Sequence, residues 1–284
     1  MVSQVIIQDV VTQSQYREVE ELQKEVWGFD DRDVVPVTQL IAAKATGGVL
    51  LGAYERTTMI GFVYGFVGYE DGSPVIHSHM LGVKPAHRGE DIGFRLKVAQ
   101  REQTLARGIR IITWTFDPLQ SLNAHLNIEK LGVLAVAYKI NFYGETSSSL
   151  HRNIGTDRLW ARWELESDRV RRCLSGPRES CTAFNDNSYL VRCDSHGMPF
   201  CCDLELREQR YLVVEIPGNI GAIQQNSPDC ASQWRASTRE AFLKAFDAGY
   251  LVTRFRRSSG PVGALGAYVL TRARSNHTST KSSD

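Results

Sequence analysis

The chain has 284 residues, long enough for one large domain or two small ones. Its 33 Lys+Arg nearly balance 32 Asp+Glu, which excludes the strong global field that would point to nucleic acid or membrane surfaces as partners. No apolar run reaches transmembrane length, and the first residues lack a basic region followed by a long apolar core, so they are read as a strand of a cytoplasmic protein.

In chain order, a strand is predicted from Gln4 to Val11. A helix follows over about 14–26, with Val19, Leu22 and Val26 on one face. Val35-Pro36-Val37 interrupts before a second helix over about 38–45, which Gly47-Gly48 ends. Val49–Tyr54 and Met59–Phe66 read as a hairpin about the turn 55–58. A turn at 70–74 leads into Val75-Ile76-His77-Ser78-His79-Met80-Leu81, a strand that runs on to Val83 and stops at Pro85. A helix starts at Ile92 or Gly93 and runs to Gly108.

Ile109–Phe116 is a β-rich strand ended by Asp117-Pro118. A helix over about 121–130 is closed by Leu131-Gly132, and strands follow at 133–138 and 157–165. From about 167 to 202 the chain turns polar and aperiodic, which reads as an irregular linker. Structure resumes with a strong strand at 211–216. A helix capped by Ser227-Pro228 runs to Ala248, Gly249 stops it, and strands follow at 250–255 and 267–270. The division is 1–166, a linker 167–204, a C-terminal α/β segment 205–272 and a polar tail 273–284. Helix, glycine, strand, strand occurs both at 121–138 onward and at 228–270, which suggests a degenerate half-repeat.

All six cysteines lie in the C-terminal part. Cys193-x-x-His196 with Cys201-Cys202 could be read as a metal cluster, but the spacing fits no zinc knuckle, so reduced thiols and no metal are expected.

The most informative stretch is Gly82 to Phe94: strand, basic glycine turn, helix start. Such a turn points backbone N–H groups at a phosphate. It is too short for a Walker loop and is not G-x-G-x-x-G. Arg88-Gly89-Glu90-Asp91-Ile92-Gly93 resembles the acyl-CoA motif [QR]-x-x-G-x-[GA] of the GNAT N-acyltransferase superfamily, over roughly residues 3–165. It looks closest to predicted members with a C-terminal extension, in which a strand end like Trp114-Thr115-Phe116-Asp117-Pro118-Leu119 recurs.

The resemblance implies an α/β fold, a mixed sheet flanked by helices, with a smaller C-terminal segment like the latter half of the same fold. It implies acetyl-CoA or another acyl-CoA as co-substrate and a small-molecule or peptide amine as acceptor. Oligomeric state stays open, a homodimer among the options. The phosphates would meet the N–H groups of Arg88, Gly89, Asp91, Ile92 and Gly93, with charge from His87 and Arg88. The pantetheine arm would lie along Leu81, Gly82 and Val83, with Asn123 across the gap.

His77 falls six residues before Val83, where several members carry a carboxylate base. Alternation puts it on one face with His79, Leu81 and Val83. Two departures stand out. Asp91 replaces a glycine beside the pyrophosphate, and Ile128 replaces the tyrosine that reprotonates the leaving thiolate, for which Tyr143 is the substitute. Glu145, Tyr64 and Tyr69 are further pocket candidates, while Trp114 and Phe116 read as core or cleft wall. The rival reading is a CoA-binding protein without turnover.

Overall fold

A computed structural model describes residues 4–144, 154–176, 188–260 and 263–272. The predicted tail and Glu145 lie outside them, as does Cys181. Among the described residues twelve strands form one mixed sheet, in the order β1-β2-β3-β4-β5-β7-β6-β11-β12-β10-β8-β9.

The first half follows the expected succession. Strand β1 (Val5–Asp9) and helices α1 (Gln13–Trp27) and α2 (Val37–Ala45) precede β2 (Val49–Glu55), β3 (Thr58–Glu70) and β4 (Ser73–Val83). Helix α3 (Ile92–Ala106) leads to β5 (Ile111–Phe116), and β6 (Leu134–Lys139) and β7 (Arg158–Glu164) complete this half. Thr12 and Gln15 form a capping box at α1, and Gly28 closes it at φ 65°, the left-handed conformation glycine takes at no steric cost. The stripe Tyr16, Val19 and Leu22 is buried with Leu40, Phe62 and Tyr64, so α1 and α2 cover one sheet face. Ile92 and Leu96 of α3 bury against Val63, Ile76 and Ile112 on the other.

Several expectations are corrected. Strand β3 runs four residues past Phe66, to Glu70. The helix expected over 121–130 is α-helical only at α4 (Ser121–Ala124) and continues as a π-helical turn, His125–Lys130. The stretch expected to be irregular holds α5 (Asp168–Leu174), capped by Ser167, and strands β8 (Tyr189–Cys193) and β9 (Pro199–Cys201). Their polar composition hid them: β8 and β9 are short and end the sheet, and only Leu190 and Val191 of β8 are buried. Ser227 precedes α7 (Pro228–Asp247) without a side-chain cap, because α6 (Ile220–Asn226), capped by Asn219, already leads into it.

The C-terminal strands β10 (Tyr211–Pro217), β11 (Tyr250–Gly260) and β12 (Gly263–Arg272) continue the same sheet. The order mirrors itself about the β6–β11 junction. Strand β4 is parallel to β5, β5 antiparallel to β7, and β7 antiparallel to β6. Likewise β8 is parallel to β10, β10 antiparallel to β12, and β12 antiparallel to β11. Strands β6 and β11 join antiparallel at Ala135 and Val252.

Each half also packs its helix on the other half's strands. Glu129, in the π-helical turn, accepts the Phe255 N–H at 2.7 Å, and Tyr138 of β6 stacks on Phe242 of α7 at 5.7 Å. A buried ion pair, in which one guanidinium nitrogen of Arg235 on α7 donates to both carboxylate oxygens of Asp117 after β5 at 2.8 and 2.9 Å, ties the halves together. Arg239 of α7 grips Asp157 before β7 at 2.7 and 3.0 Å.

Candidate active site

Strands β4 and β5 pair only at Ile76/Ile112 and His77/Thr113. Beyond His77 they splay, so residues 79–83 of β4 have no β5 neighbour and offer backbone groups to a ligand. The same point carries a bulge on the β3 side, where Tyr64 pairs with Met80 but Phe66 pairs with His77. Gly65 therefore faces two residues, Ser78 and His79. A Cβ at Gly65 would stand 2.8 Å from an Ile76 methyl and 3.0 Å from Gln100 Nε2, so only glycine fits opposite the bulge.

The bulge overturns one expectation. His77 and His79 do share a face, but not with Leu81 and Val83. Both histidines contact Phe66 rings, at 5.4 and 5.9 Å, on the α1–α2 side. Leu81 and Val83 pack against the α3-side core. One inserted residue shifts the alternation by one and sends the following side chains to the other face.

At the far end of the splay, Pro85–His87 form a short 3-10 turn, and Gly89 at φ 93° and Asp91 at φ 58° bend the chain into α3. Asp91 occupies the left-handed region, which glycine takes freely and Asp tolerates better than most residues. Its carboxylate forms an ion pair with Lys130 of the π-helical turn. It makes no side-chain cap, so the first N–H groups of α3 stay available to an anion.

Gly93 lies between β4 and the π-helical turn, where a Cβ would be 3.7 Å from Leu81 and 3.9 Å from Leu126. The Ile92 side chain is buried in the core. Arg88 turns back to the Val83 carbonyl at 3.4 Å, and His87 faces Glu90 at 3.4 Å. Gly82 is backed by Phe62 and Trp27, and Asn123 is exposed on α4. These fit a phosphate-ended ligand threading the splay, with a cradle at one end and open strand edge along it.

His77 Nδ1 lies 3.1 Å from Thr113 Oγ1. Burial pushes its pKa down to about 4, and the nearby His79 and Lys97 add to the effect. Burial also lowers His79. Tyr143, in the turn after β6, meets Thr115 Oγ1 at 3.0 Å, with the Arg158 guanidinium over its ring at 5.2 Å. Thr113 and Thr115 are two apart on β5, so they share a face roughly 7 Å apart and set His77 and Tyr143 along one line. Ile128, where the resemblance would place a tyrosine, is wholly buried.

Sequence reasoning passed over several neighbours. Trp160 of β7 contacts His77 at 5.4 Å and sends its indole N–H to Glu70 at 3.3 Å, and Glu70 also pairs with Arg162. Beneath the splay, Lys97 of α3 is buried, bonded to Ser78 Oγ at 2.7 Å and set over the Trp114 ring at 3.7 Å. Burial holds its pKa well below the ordinary lysine value. A lysine on a helix is ordinarily solvated, so nothing in the sequence marked it. Among the described residues no group of three His, Cys, Asp or Glu comes together to hold a metal. No helix there is long and apolar enough to cross a membrane.

Comparison with known proteins bears on this geometry. The model of the acetyltransferase (GNAT) family matches residues 13–132, the segment holding β4, the glycine turn, α3 and β5. No curated protein matches the chain. Among solved structures, the ribosomal-protein-S18-alanine N-acetyltransferase of Escherichia coli aligns at 11% identity and TM-score 0.46, covering 58% of this chain and 96% of its own. Arabidopsis thaliana Naa50, in complex with a bisubstrate analogue, aligns at 17% identity and TM-score 0.44, covering 57% and 98%. Salmonella typhimurium yncA, with its cofactor acetyl-CoA, aligns at 15% identity and TM-score 0.48, covering 63% and 100%. These likenesses are too distant to carry an argument about chemistry. The match over residues 13–132 identifies that part of the chain as a region of the GNAT acetyltransferase family.

Proposed function

We propose that the chain moves an acyl group, most simply acetyl, from acetyl-CoA to an amine. The observation that carries this reading is the β4–β5 splay, which opens at His77 and ends at an uncapped helix start behind a glycine turn. The turn N–H groups at 88–93 would hold the phosphates, and the β4 edge at 81–83 the pantetheine arm.

The amine nitrogen attacks the thioester carbonyl, a C–N bond forms, the C–S bond breaks, and sulfur leaves as the CoA thiolate. The proton lost by the amine goes to His77 Nε2, since Nδ1 faces Thr113, directly or through water. With a pKa of about 4, His77 is already neutral at physiological pH and ready to accept. The same burial makes it a weak base, so its part is to position and relay the proton. Tyr143 is the candidate proton donor to the thiolate.

Calorimetric titration with acetyl-CoA, followed by thiol detection with a panel of amines, tests the reading. Expected are saturable binding and CoA release, with kcat lowered about 10²-fold or more by His77→Ala and acetyl-CoA affinity kept. Binding without release from any amine would favour the second reading, CoA binding without turnover. The buried Ile128, which cannot serve as an acid, is the observation on its side.

A further inference from the structure

A string of rings runs across the histidine face of the splay. Tyr64 meets His79 at 6.1 Å, His79 meets Phe66 at 5.9 Å, and Phe66 meets His77 at 5.4 Å. His77 meets Trp160 at 5.4 Å, Trp160 meets Phe142 at 6.1 Å, and Phe142 meets Tyr143 at 4.8 Å. The string crosses β3, β4, β7 and the turn after β6, so it bridges the gap on the side where His77 stands. One end is sealed, with Tyr64 1% exposed under α1 and α2. The other is open, with Phe142 and Tyr143 each 42% exposed. Gly68, between Phe66 and Glu70 on β3, adds no side chain to this face; a Cβ there would touch only Val75, at 3.7 Å. The result is a shelf of tilted and edge-to-face rings, exposed at Phe142 and Tyr143 and buried at Tyr64.

Its charges are committed. Glu70 is held by Arg162 and the Trp160 indole, and Glu164 lies 3.6 Å from the same arginine. Arg158 lies over Tyr143 at the open end. Among the described residues the shelf's two carboxylates, Glu70 and Glu164, thus share one arginine, Arg162. An acceptor carrying several ammonium groups would have to draw them away from it. One carrying a single amine on an aromatic body would place its ring among rings at 4.5–7 Å, an arrangement worth about 0.5–1.5 kcal/mol per pair beyond buried area.

We propose, on the acyl-transfer reading above, that the acceptor is an arylalkylamine. Its ring lies on the Trp160–Phe142–Tyr143 shelf and its amine reaches the gap at His77.

The test compares acetyl transfer to phenethylamine and tryptamine with transfer to hexylamine, spermidine and an alanyl peptide, by thiol release from acetyl-CoA. The expected result is a kcat/KM for the arylalkylamines at least about tenfold above hexylamine, the size of one or two ring contacts. Phe142→Ala, at an exposed position that folding tolerates, should pull the aryl-to-alkyl ratio down about fivefold or more, and Trp160→Leu should do the same. Preference for spermidine, hexylamine or the peptide overturns the acceptor class while leaving acyl transfer standing. If acetyl-CoA binds but no amine releases CoA, acyl transfer fails, and phenethylamine quenching of tryptophan fluorescence decides the shelf separately. Saturation below about 1 mM that Trp160→Leu abolishes supports it, and no saturation overturns it.

Discussion

The two halves of the sheet share a frame and differ in one place. In the first half the parallel pair β4–β5 ends its register at a histidine and a threonine, His77 and Thr113. In the second half the parallel pair β8–β10 ends at two valines, Val191 and Val214. The first gap stays open and runs to a glycine turn at the start of a fifteen-residue helix. In the second gap Glu215 of β10 reaches across and accepts the Cys193 N–H at 2.7 Å, and between β8 and β10 lie only β9 and a short 3-10 turn. The strand edge that would receive a ligand in one half is thus satisfied by the protein's own carboxylate in the other. The frame is common to both halves; the open edge and the helix start that follows it belong to the first. The second half contributes instead through α7, whose Arg235 and Arg239 hold Asp117 and Asp157 beside the first half's gap.

The largest expected effect tests that dependence. Arg235→Ala removes the buried guanidinium that pairs with Asp117 and should cost about 3–5 kcal/mol, read as a shift in the urea midpoint. Asp117→Asn combined with Arg235→Met should recover much of it. If the halves are one cooperative unit, unfolding of the wild type should follow a single transition by fluorescence and by circular dichroism, and two separated transitions would break the comparison.

Next comes pH. The folded chain keeps His77 neutral down to about pH 4, whereas an unfolded histidine takes a proton near 6.5. Between those values the unfolded state binds more protons, so stability falls as pH drops from 6.5 toward 4, by up to about 3 kcal/mol. His77→Asn should flatten that slope. The same depressed value predicts that kcat/KM shows no inflection between pH 6 and 7, only the rise due to the acceptor amine losing its proton.

Smaller is the effect of opening the second gap. Glu215→Ala orphans the Cys193 N–H and should cost about 1–3 kcal/mol without creating a site. Calorimetry should still find one acetyl-CoA per chain, and two would overturn the contrast. Smallest is Asp91→Gly, which relieves a left-handed non-glycine residue and frees Lys130 for phosphate. A gain of about 1 kcal/mol, or several-fold in CoA affinity, is expected.

Much of the first half was legible because its signals are local. Periodicity marked α1, the Gly89 turn marked the break between β4 and α3, and Asp117-Pro118 marked the end of β5. The histidines were legible as a pair, but their face was not. Alternation assumes an unbroken pleat, and the bulge opposite Gly65 is a property of the β3–β4 pairing, which no local pattern carries. Tyr143 was picked out by sequence, while its partner Thr115 and the ring neighbour Trp160 come from strands that are adjacent only once the sheet is assembled. The polar run at 167–204 misled because short strands at the end of a sheet need few apolar residues to hold them.

The sequence by itself therefore determined the order of elements in the first half, the glycine turn between β4 and α3, and the family that residues 13–132 match. All of these rest on contacts within a few residues or on a contiguous motif. Tertiary structure alone decided that the two halves join in one mirrored sheet, that one gap is open and the other closed by Glu215, and that rings from four separate elements line the space beside His77. Each of those is a long-range pairing, set by which edges and faces find partners when the chain buries its core.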